Sequence, residues 1–254
     1  MNHDKEAESI MKIRFLGTGA ADWNGPDARG EYRRLTSTLI DGSLLIDFTK
    51  TAADMLKDIS AVRCILITHS HSDHFDPAAI AALAPAVLFA HESWAGEISI
   101  PGIEVRPVAI GQWTQADEYE IMALPSNHST ARAYEQTVNY LIKKDGKLFL
   151  YATDGAWLPN RSLHLMKGLN LDGMAIDATI GDGHAGDYRI FEHNSIPMIR
   201  IMVETMTQTG LLKPEAPVFL THMARTLHGT QAEIEAKLEK PLIACYDGMK
   251  AEIE

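Results

Sequence analysis

A chain of 254 residues is long enough to bury a full core, and 46% hydrophobic with 22% charged residues is the balance of a globular protein rather than a disordered one. A formal charge of −11 at pH 7 repels polyanions and argues against a general nucleic-acid binder, so small substrates are the better match. The longest apolar stretch, Ala78 to Ala90, contains Pro85 and is too short to cross a bilayer.

Residues 1–10 are polar and lack the apolar centre of a signal peptide, so they are expected to form a flexible tail ahead of one domain spanning residues 11–254. "KIRFLGTGA" reads as a strand running into a glycine turn, followed by a Gly- and Pro-containing loop. "STLIDGSLLIDF" gives two β-rich runs around Asp41-Gly42, the dipeptide of a tight hairpin. "TAADMLKDI" reads as a helix and "RCILIT" as a short buried strand, after which Pro77 suits the first position of a helix, "PAAIAALA". Strands are expected over Val87 to Ala90, Ile103 to Val108, Tyr119 to Leu124, Gln136 to Lys143 and Lys147 to Thr153, with a hairpin turn at Lys144 to Lys147. A helix near Asn160 to Gly168, a strand "GMAID", a loop "ATIGDGHAGDYR", a helix from Ser195 to Thr209, a strand "PVFLTH", a helix "TQAEIEAKLEK" and a final strand pair complete the chain. Strand runs interrupted by helices predict two mixed sheets packed together with helices outside. Cys64 and Cys245 lie in apolar runs and read as buried free thiols; with no disulfide framework, a cytoplasmic location fits.

The densest chemistry is "HSHSDH". His69 and His71 are one residue apart, so both rings can point the same way, while Asp73 and His74 follow where the chain bends toward Pro77. One motif can thus serve two metals. Four donors do not complete two coordination spheres, and three further residues at strand ends can contribute: His128 in "ALPSNHS", Asp154 in "LFLYATDG" and His222 in "VFLTHMA". Taken singly, each is more often a surface or turn residue; the joint pattern reverses that and is that of a metal site. Donors that are all nitrogen and oxygen suit zinc or manganese alike. Asp47, closing "LLIDF", either holds the far nitrogen of a ligand imidazole or serves as a turn or cap residue.

"HSHSDH" together with His128, Asp154 and His222 resembles the metallo-β-lactamase superfamily, over nearly the whole chain from Met11. The resemblance implies an α+β fold, the four-layer αββα metallo-β-lactamase sandwich of two mixed β-sheets flanked by helices, with two divalent metal ions at one sheet edge. It also implies the pairing: His69, His71 and His128 on one metal, Asp73, His74 and His222 on the other, and Asp154 bridging. "FLGTGAA", "EYRRLTS", "LPSNHS", "EHNSI", "FLTHMA" and "YDGM" look most like the PhnP-type phosphoribosyl cyclic phosphodiesterase branch, to which tRNase Z is related. His193 of "EHNSI" matches the histidine that protonates the leaving group in that branch, so the resemblance implies His193 as general acid. Asp73 is implied as a second catalytic residue, and a metal-bridging hydroxide as the nucleophile. Two departures stand out. The first loop, "AADWNGPDARGEY", lacks the cysteines of the PhnP structural metal site and Arg225 stands where its histidine would be, and no tRNase Z exosite arm is apparent.

The implied activity is hydrolysis of a small cyclic or diester phosphate, phosphoribosyl 1,2-cyclic phosphate-like. A lactonase or lactamase, a tRNase Z-like nuclease, and a non-enzymatic metal or nucleotide binder are the alternatives. The implied partner is a small phosphorylated substrate, with neither membrane nor nucleic acid, and a homodimer is implied as well. For a second phosphate the candidate groups are Arg33, Arg34, Arg132, Arg225 and His228, with His184 on a glycine-rich loop; for each the default reading is an ordinary solvated surface or loop side chain.

Overall fold

The computed structural model describes residues 10–254, so the expected tail lies outside the described residues except for Ile10, which is exposed. Two seven-stranded mixed sheets form the centre. The first six strands are β1 (Met11–Gly17), β2 (Ser37–Ile40), β3 (Leu44–Ile46), β4 (Cys64–Leu66), β5 (Ala86–His91) and β6 (Ile103–Val108). The next seven are β7 (Trp113–Ala116), β8 (Tyr119–Pro125), β9 (Val138–Lys144), β10 (Lys147–Ala152), β11 (Gly173–Asp177), β12 (Val218–Thr221) and β13 (Leu242–Ala244). The last, β14 (Lys250–Ile253), returns to the first sheet, whose order is β14-β1-β2-β3-β4-β5-β6; the second runs β13-β12-β11-β10-β9-β8-β7.

Period-two alternation assigns each strand face to a layer. On β10, Phe149 and Tyr151 point between the sheets, while Leu148, Leu150 and Ala152 point to the outer core of the second sheet. The inter-sheet layer also holds Phe15 and Phe219, with ring centroids 5.3 Å apart. Outside the second sheet lie α3 (Asn160–Leu165) and α4 (Ile196–Gln208), which follow α1 (Pro77–Ala81) and α2 (Glu92–Ala95), the helices outside the first sheet; α5 (Gln231–Glu235) packs near β13. The four-layer sandwich of two mixed sheets flanked by helices is therefore present.

Local signals explain the boundaries. Asp76 accepts from the amides of Ala78 and Ala79 (both 3.1 Å) ahead of Pro77, which starts α1. Ser195 caps α4, whose buried Ile196, Ile199, Met202, Val203 and Met206 repeat at helical spacing. Asp145 and Gly146 both take positive φ (48° and 80°), as the hairpin between β9 and β10 requires.

Three expectations need correction. "TAADMLKDI" forms 3₁₀ turns over Lys50–Met55 and Ile59–Ala61 in place of a helix; Thr49 supplies no side-chain cap and no periodic apolar face extends past Leu56. The helix expected across "TQAEIEAKLEK" stops at Glu235. The final strands do not pair with each other: β13 runs parallel to β12 and β14 antiparallel to β1, so the chain end closes both sheets. Short β7 and α2 were not anticipated. No described helix is long and apolar enough to cross a membrane.

Candidate metal centre

Strand direction delivers the site. β3, β4 and β5 are parallel, as are β10, β11, β12 and β13, and β8 is antiparallel to β9, which is antiparallel to β10. The chain leaving β3, β4, β8, β10, β11 and β12 therefore emerges at one edge. It carries Asp47, the His69–His74 segment, His128, Asp154, Asp177 and His222 in turn.

Asp154 Oδ2 is the point of convergence. It lies 3.0 Å from His74 Nε2, 3.2 Å from His69 Nε2, 3.6 Å from His222 Nε2 and 3.7 Å from His128 Nε2. His71 Nδ1 is 3.2 Å from His128 Nε2, and Asp73 Oδ2 is 3.4 Å from His74 Nε2 and 3.6 Å from His222 Nε2. Two donor groups result, each compact enough for one ion and sharing Asp154: His69, His71 and His128; and Asp73, His74 and His222. A third grouping joins Asp154 and His222 to Asp177 and His193. All seven sequence-predicted ligands are thus brought together.

Hydrogen bonds fix the rings of His69, His74 and His222 so that their Nε2 atoms face inward. Asp47 Oδ2 accepts from His74 Nδ1 (2.7 Å), and Asp47 Oδ1 accepts from the Thr68 amide (2.9 Å). The Thr68 hydroxyl donates to Asp47 (2.9 Å to Oδ2), which leaves its oxygen to accept from His69 Nδ1 at 3.0 Å. The Thr179 hydroxyl donates to the His222 carbonyl (2.9 Å) and accepts from His222 Nδ1 (2.8 Å). In each case the remaining nitrogen keeps a lone pair for a cation. Asp47, Asp154 and His222 all hold left-handed backbone (φ 51°, 56° and 57°), a conformation costly for non-glycine residues and concentrated at functional sites.

Charge gives the test of fit. Asp47, Asp73, Asp154 and Asp177 are all buried, yet among the described residues no lysine or arginine pairs with any of them. Burial opposes a charged ring at His222, but Asp154, Asp177 and Asp73 raise it to about 9, and Asp73 and Asp47 likewise lift His74. The carboxylates thus favour positive charge at this edge. Burial pushes His128 down to about 4 and also lowers His71, leaving neutral rings suited to coordination. His69 Nε2 is buried with no hydrogen-bond partner. The donor set fits divalent cations.

His193 sits at the rim with its side chain 15% exposed, its Nδ1 2.9 Å from Asp177 Oδ2, 3.1 Å from Asp154 Oδ1 and 3.1 Å from the Thr179 hydroxyl. Burial works against its charged form, but Asp177 and Asp154 raise it to about 11. Asp177 was missed by the sequence reading. It ends "GMAID" as Asp47 ends "LLID" and Asp154 follows "LFLYAT", and an aspartate closing an apolar strand was the available signal.

The candidate phosphate cations separate. Arg33 is buried, donating to the Thr18 hydroxyl (2.8 Å), the Cys245 carbonyl (2.7 Å) and Gln231 Oε1 (2.6 Å), so it is a structural clamp and no surface charge. Arg34 pairs with Asp54 and Asp247, and Arg132 lies 3.7 Å from both Glu97 and Glu135. The Arg225 amide donates to Asp22 (2.8 Å), and its guanidinium Nε is buried with no hydrogen-bond partner. His184 and His228 line a separate cavity of about 260 Å³, where His228 Nε2 donates to the carbonyls of Ala178 (2.7 Å) and Thr179 (3.1 Å).

A two-sheet sandwich with His/Asp clusters at one edge defines a metal-dependent hydrolase class. Residues 35–223 match the family described as the beta-lactamase superfamily domain, and the chain belongs to that superfamily. Among solved structures, a diphosphatase from the PhnP family is 19% identical with TM-score 0.72, covering 96% of this chain and 97% of its own. The metallo-beta-lactamase fold protein YhfI from Bacillus subtilis is 12% identical with TM-score 0.74 over 96% of this chain and 100% of its own. The short form of human tRNase Z is 15% identical with TM-score 0.67 over 96% and 99%. No curated protein matches by sequence.

Proposed function

We propose that the protein is a dinuclear metal-dependent phosphodiesterase that hydrolyses a small cyclic or diester phosphate in the cytoplasm. One observation carries the reading: beside two complete donor groups stands His193, an imidazole that neither group requires. Zinc or manganese held by His69, His71 and His128, by Asp73, His74 and His222, and by Asp154 between them would supply an activated water and neutralise charge on phosphoryl oxygens. Asp177 holds His193 Nδ1, which leaves Nε2 as the ring atom free to hand a proton to a leaving alkoxide. Acyl transfer from a lactone does not need such a donor, so His193 favours the phosphodiester. Likeness to a PhnP-family diphosphatase and to tRNase Z supports phosphorus chemistry. Charge supports a small substrate, because −11 opposes a long polyanion.

Phosphorus NMR of 5-phosphoribosyl 1,2-cyclic phosphate with zinc- or manganese-loaded protein tests it. Conversion to ribose 1,5-bisphosphate, slowed about 10²- to 10⁴-fold in His193→Ala, is the expected result. Turnover of a lactone, with every phosphodiester left intact, would overturn the reading.

A further inference from the structure

Five imidazoles share Asp154 between the two donor groups, and their support is uneven. His69, His74 and His222 are each held through the ring nitrogen that faces away from the site, by Thr68, Asp47 and Thr179. His71 Nδ1 and His128 Nε2 meet at 3.2 Å, but among the described residues no protein group bonds the far nitrogen of either ring, and His128 Nδ1 is buried without a partner. Both rings belong to one donor group, with His69. A ligand ring is normally oriented through its outer nitrogen, so these two depend on the backbone that carries them.

One side chain reaches both backbones. Glu135 lies in the loop between β8 and β9, and its side chain is 0% exposed. Its Oε1 accepts from the amide of Ser70 (2.7 Å), the residue between His69 and His71, and its Oε2 accepts from the Ser70 hydroxyl. Oε2 also accepts from the hydroxyl of Thr130 (2.9 Å), two residues beyond His128. Glu135 is itself fixed from outside the site: its amide donates to the Arg132 carbonyl (2.9 Å), and the next amide, that of Gln136, donates to the Ser93 hydroxyl on α2 (3.0 Å). The Arg132 guanidinium, 5.7 Å from the Trp94 ring centroid, brings positive charge to 3.7 Å from Glu135 Oε2. Three donors and a nearby cation offset the cost of burying the carboxylate, and hydrogen bonds to a charged acceptor are the strong ones.

Resting on the two-metal reading, we propose that Glu135 is a positioning residue for one ion alone. It ties the His69–His71 segment to the His128 loop, and so builds the donor group of His69, His71 and His128. Asp73, His74 and His222 stand without it: among the described residues Glu135 makes no hydrogen bond to any of them, and Asp47 and Thr179 hold the rings of His74 and His222 directly. The two ions are therefore supported by different parts of the fold, and a single substitution outside both donor groups can release one of them.

The test titrates zinc into metal-free full-length protein against a chromogenic chelator, with the visible spectrum of the cobalt-loaded protein as a second readout. Glu135→Gln keeps the shape of the side chain but sets an amide N–H against donors that need an acceptor. Ser70→Ala and Thr130→Val each remove a single tether. Glu97→Gln, which alters an exposed carboxylate 3.7 Å from Arg132, is the control. Expected in Glu135→Gln is one ion bound as in the wild type and the other held about 10- to 100-fold more weakly, with loss of one cobalt environment. The two tether variants should weaken the same ion by less, and Glu97→Gln should change neither. Equal weakening of both ions would overturn the proposal by making Glu135 a general prop of the edge, and unchanged binding of both in a folded Glu135→Gln would overturn it outright. If Glu135→Gln does not fold, the two tether variants decide by the same criterion. A wild type that takes only one ion would sink the two-metal reading; the tie would then stand if Glu135→Gln weakens that ion and fall if it does not.

Discussion

Asp177 Oδ2 lies 2.9 Å from His193 Nδ1, and that carboxylate is fully buried. Its second oxygen accepts from the amides of Thr179 (2.9 Å) and Asn194 (3.2 Å), so the carboxylate is fixed before it meets the ring. An orienting carboxylate of this kind selects which nitrogen carries the mobile proton. Asp177→Asn keeps the shape but can present an amide hydrogen where an acceptor is needed. The expected outcome is a fall of about 10- to 100-fold in kcat with bound metal unchanged, measured by steady-state kinetics beside elemental analysis. Loss of metal in step with activity would instead place Asp177 among the ligands.

Removing metal should loosen the whole edge. Four buried carboxylates without a lysine or arginine partner rely on cations, and Asp154 Oδ2 faces four imidazoles. At 100-fold excess over Kd, one bound ion stabilises by about 2.7 kcal/mol, about 5–10 °C in Tm for a chain of this size. Scanning calorimetry of chelated and reloaded protein should show at least that gap. Asp154→Asn should abolish most of it; a variant that still gains the full shift would remove Asp154 from the centre.

Asp47 stands one hydrogen bond behind His74, a ring that would hold a metal. It ties His74 Nδ1 to the Thr68 amide and hydroxyl from a left-handed backbone position that asparagine tolerates. Asp47→Asn should fold and yet bind metal about 10- to 100-fold more weakly, because the ligand ring loses its charged acceptor. Competition against a chromogenic chelator measures this, and unchanged affinity would reduce Asp47 to a turn residue.

How much was legible follows from where the information lies. The His69–His74 motif was readable because three histidines and an aspartate in six positions have no packing purpose, and the strand ends at His128, Asp154 and His222 were readable because apolar runs stop there. Asp145-Gly146 announced its hairpin by requiring positive φ. Asp177 was hidden because a lone aspartate after "GMAI" has the local signature of any turn. Arg33 read as a surface charge, since nothing local reports that Thr18, Cys245 and Gln231 close over it from distant parts of the chain. Tertiary partners of that kind also separated the last two strands, which adjoin in sequence but add to opposite sheets.

That same Arg33 yields a stability prediction. Its guanidinium bridges the first loop to the segment after β13, so truncation strands the buried Cys245 carbonyl and takes away the donor to the Thr18 hydroxyl, which keeps its bond to Asp247. Arg33→Ala should lose about 2–5 kcal/mol in urea unfolding. If a second phosphate were its true partner, stability would hold and KM alone would rise.

Burial pushes the Cys64 thiol up to about 11 and raises Cys245 as well, and both are free. A folded-state pKa raised above the unfolded value near 9 gives stability that is complete below pH 9 and lost as pH climbs toward 11, because only the unfolded chain then releases the protons. The Cys64→Ala, Cys245→Ala double variant should therefore show a shallower loss of stability between pH 9 and 11 than the wild type, whatever offset the cavities impose at pH 7. Native protein at pH 8 should leave both thiols unmodified by a disulfide reagent, and both should react at once in guanidinium. Rapid labelling of the native state would mean that one thiol reaches solvent, and that its burial does not govern its ionisation.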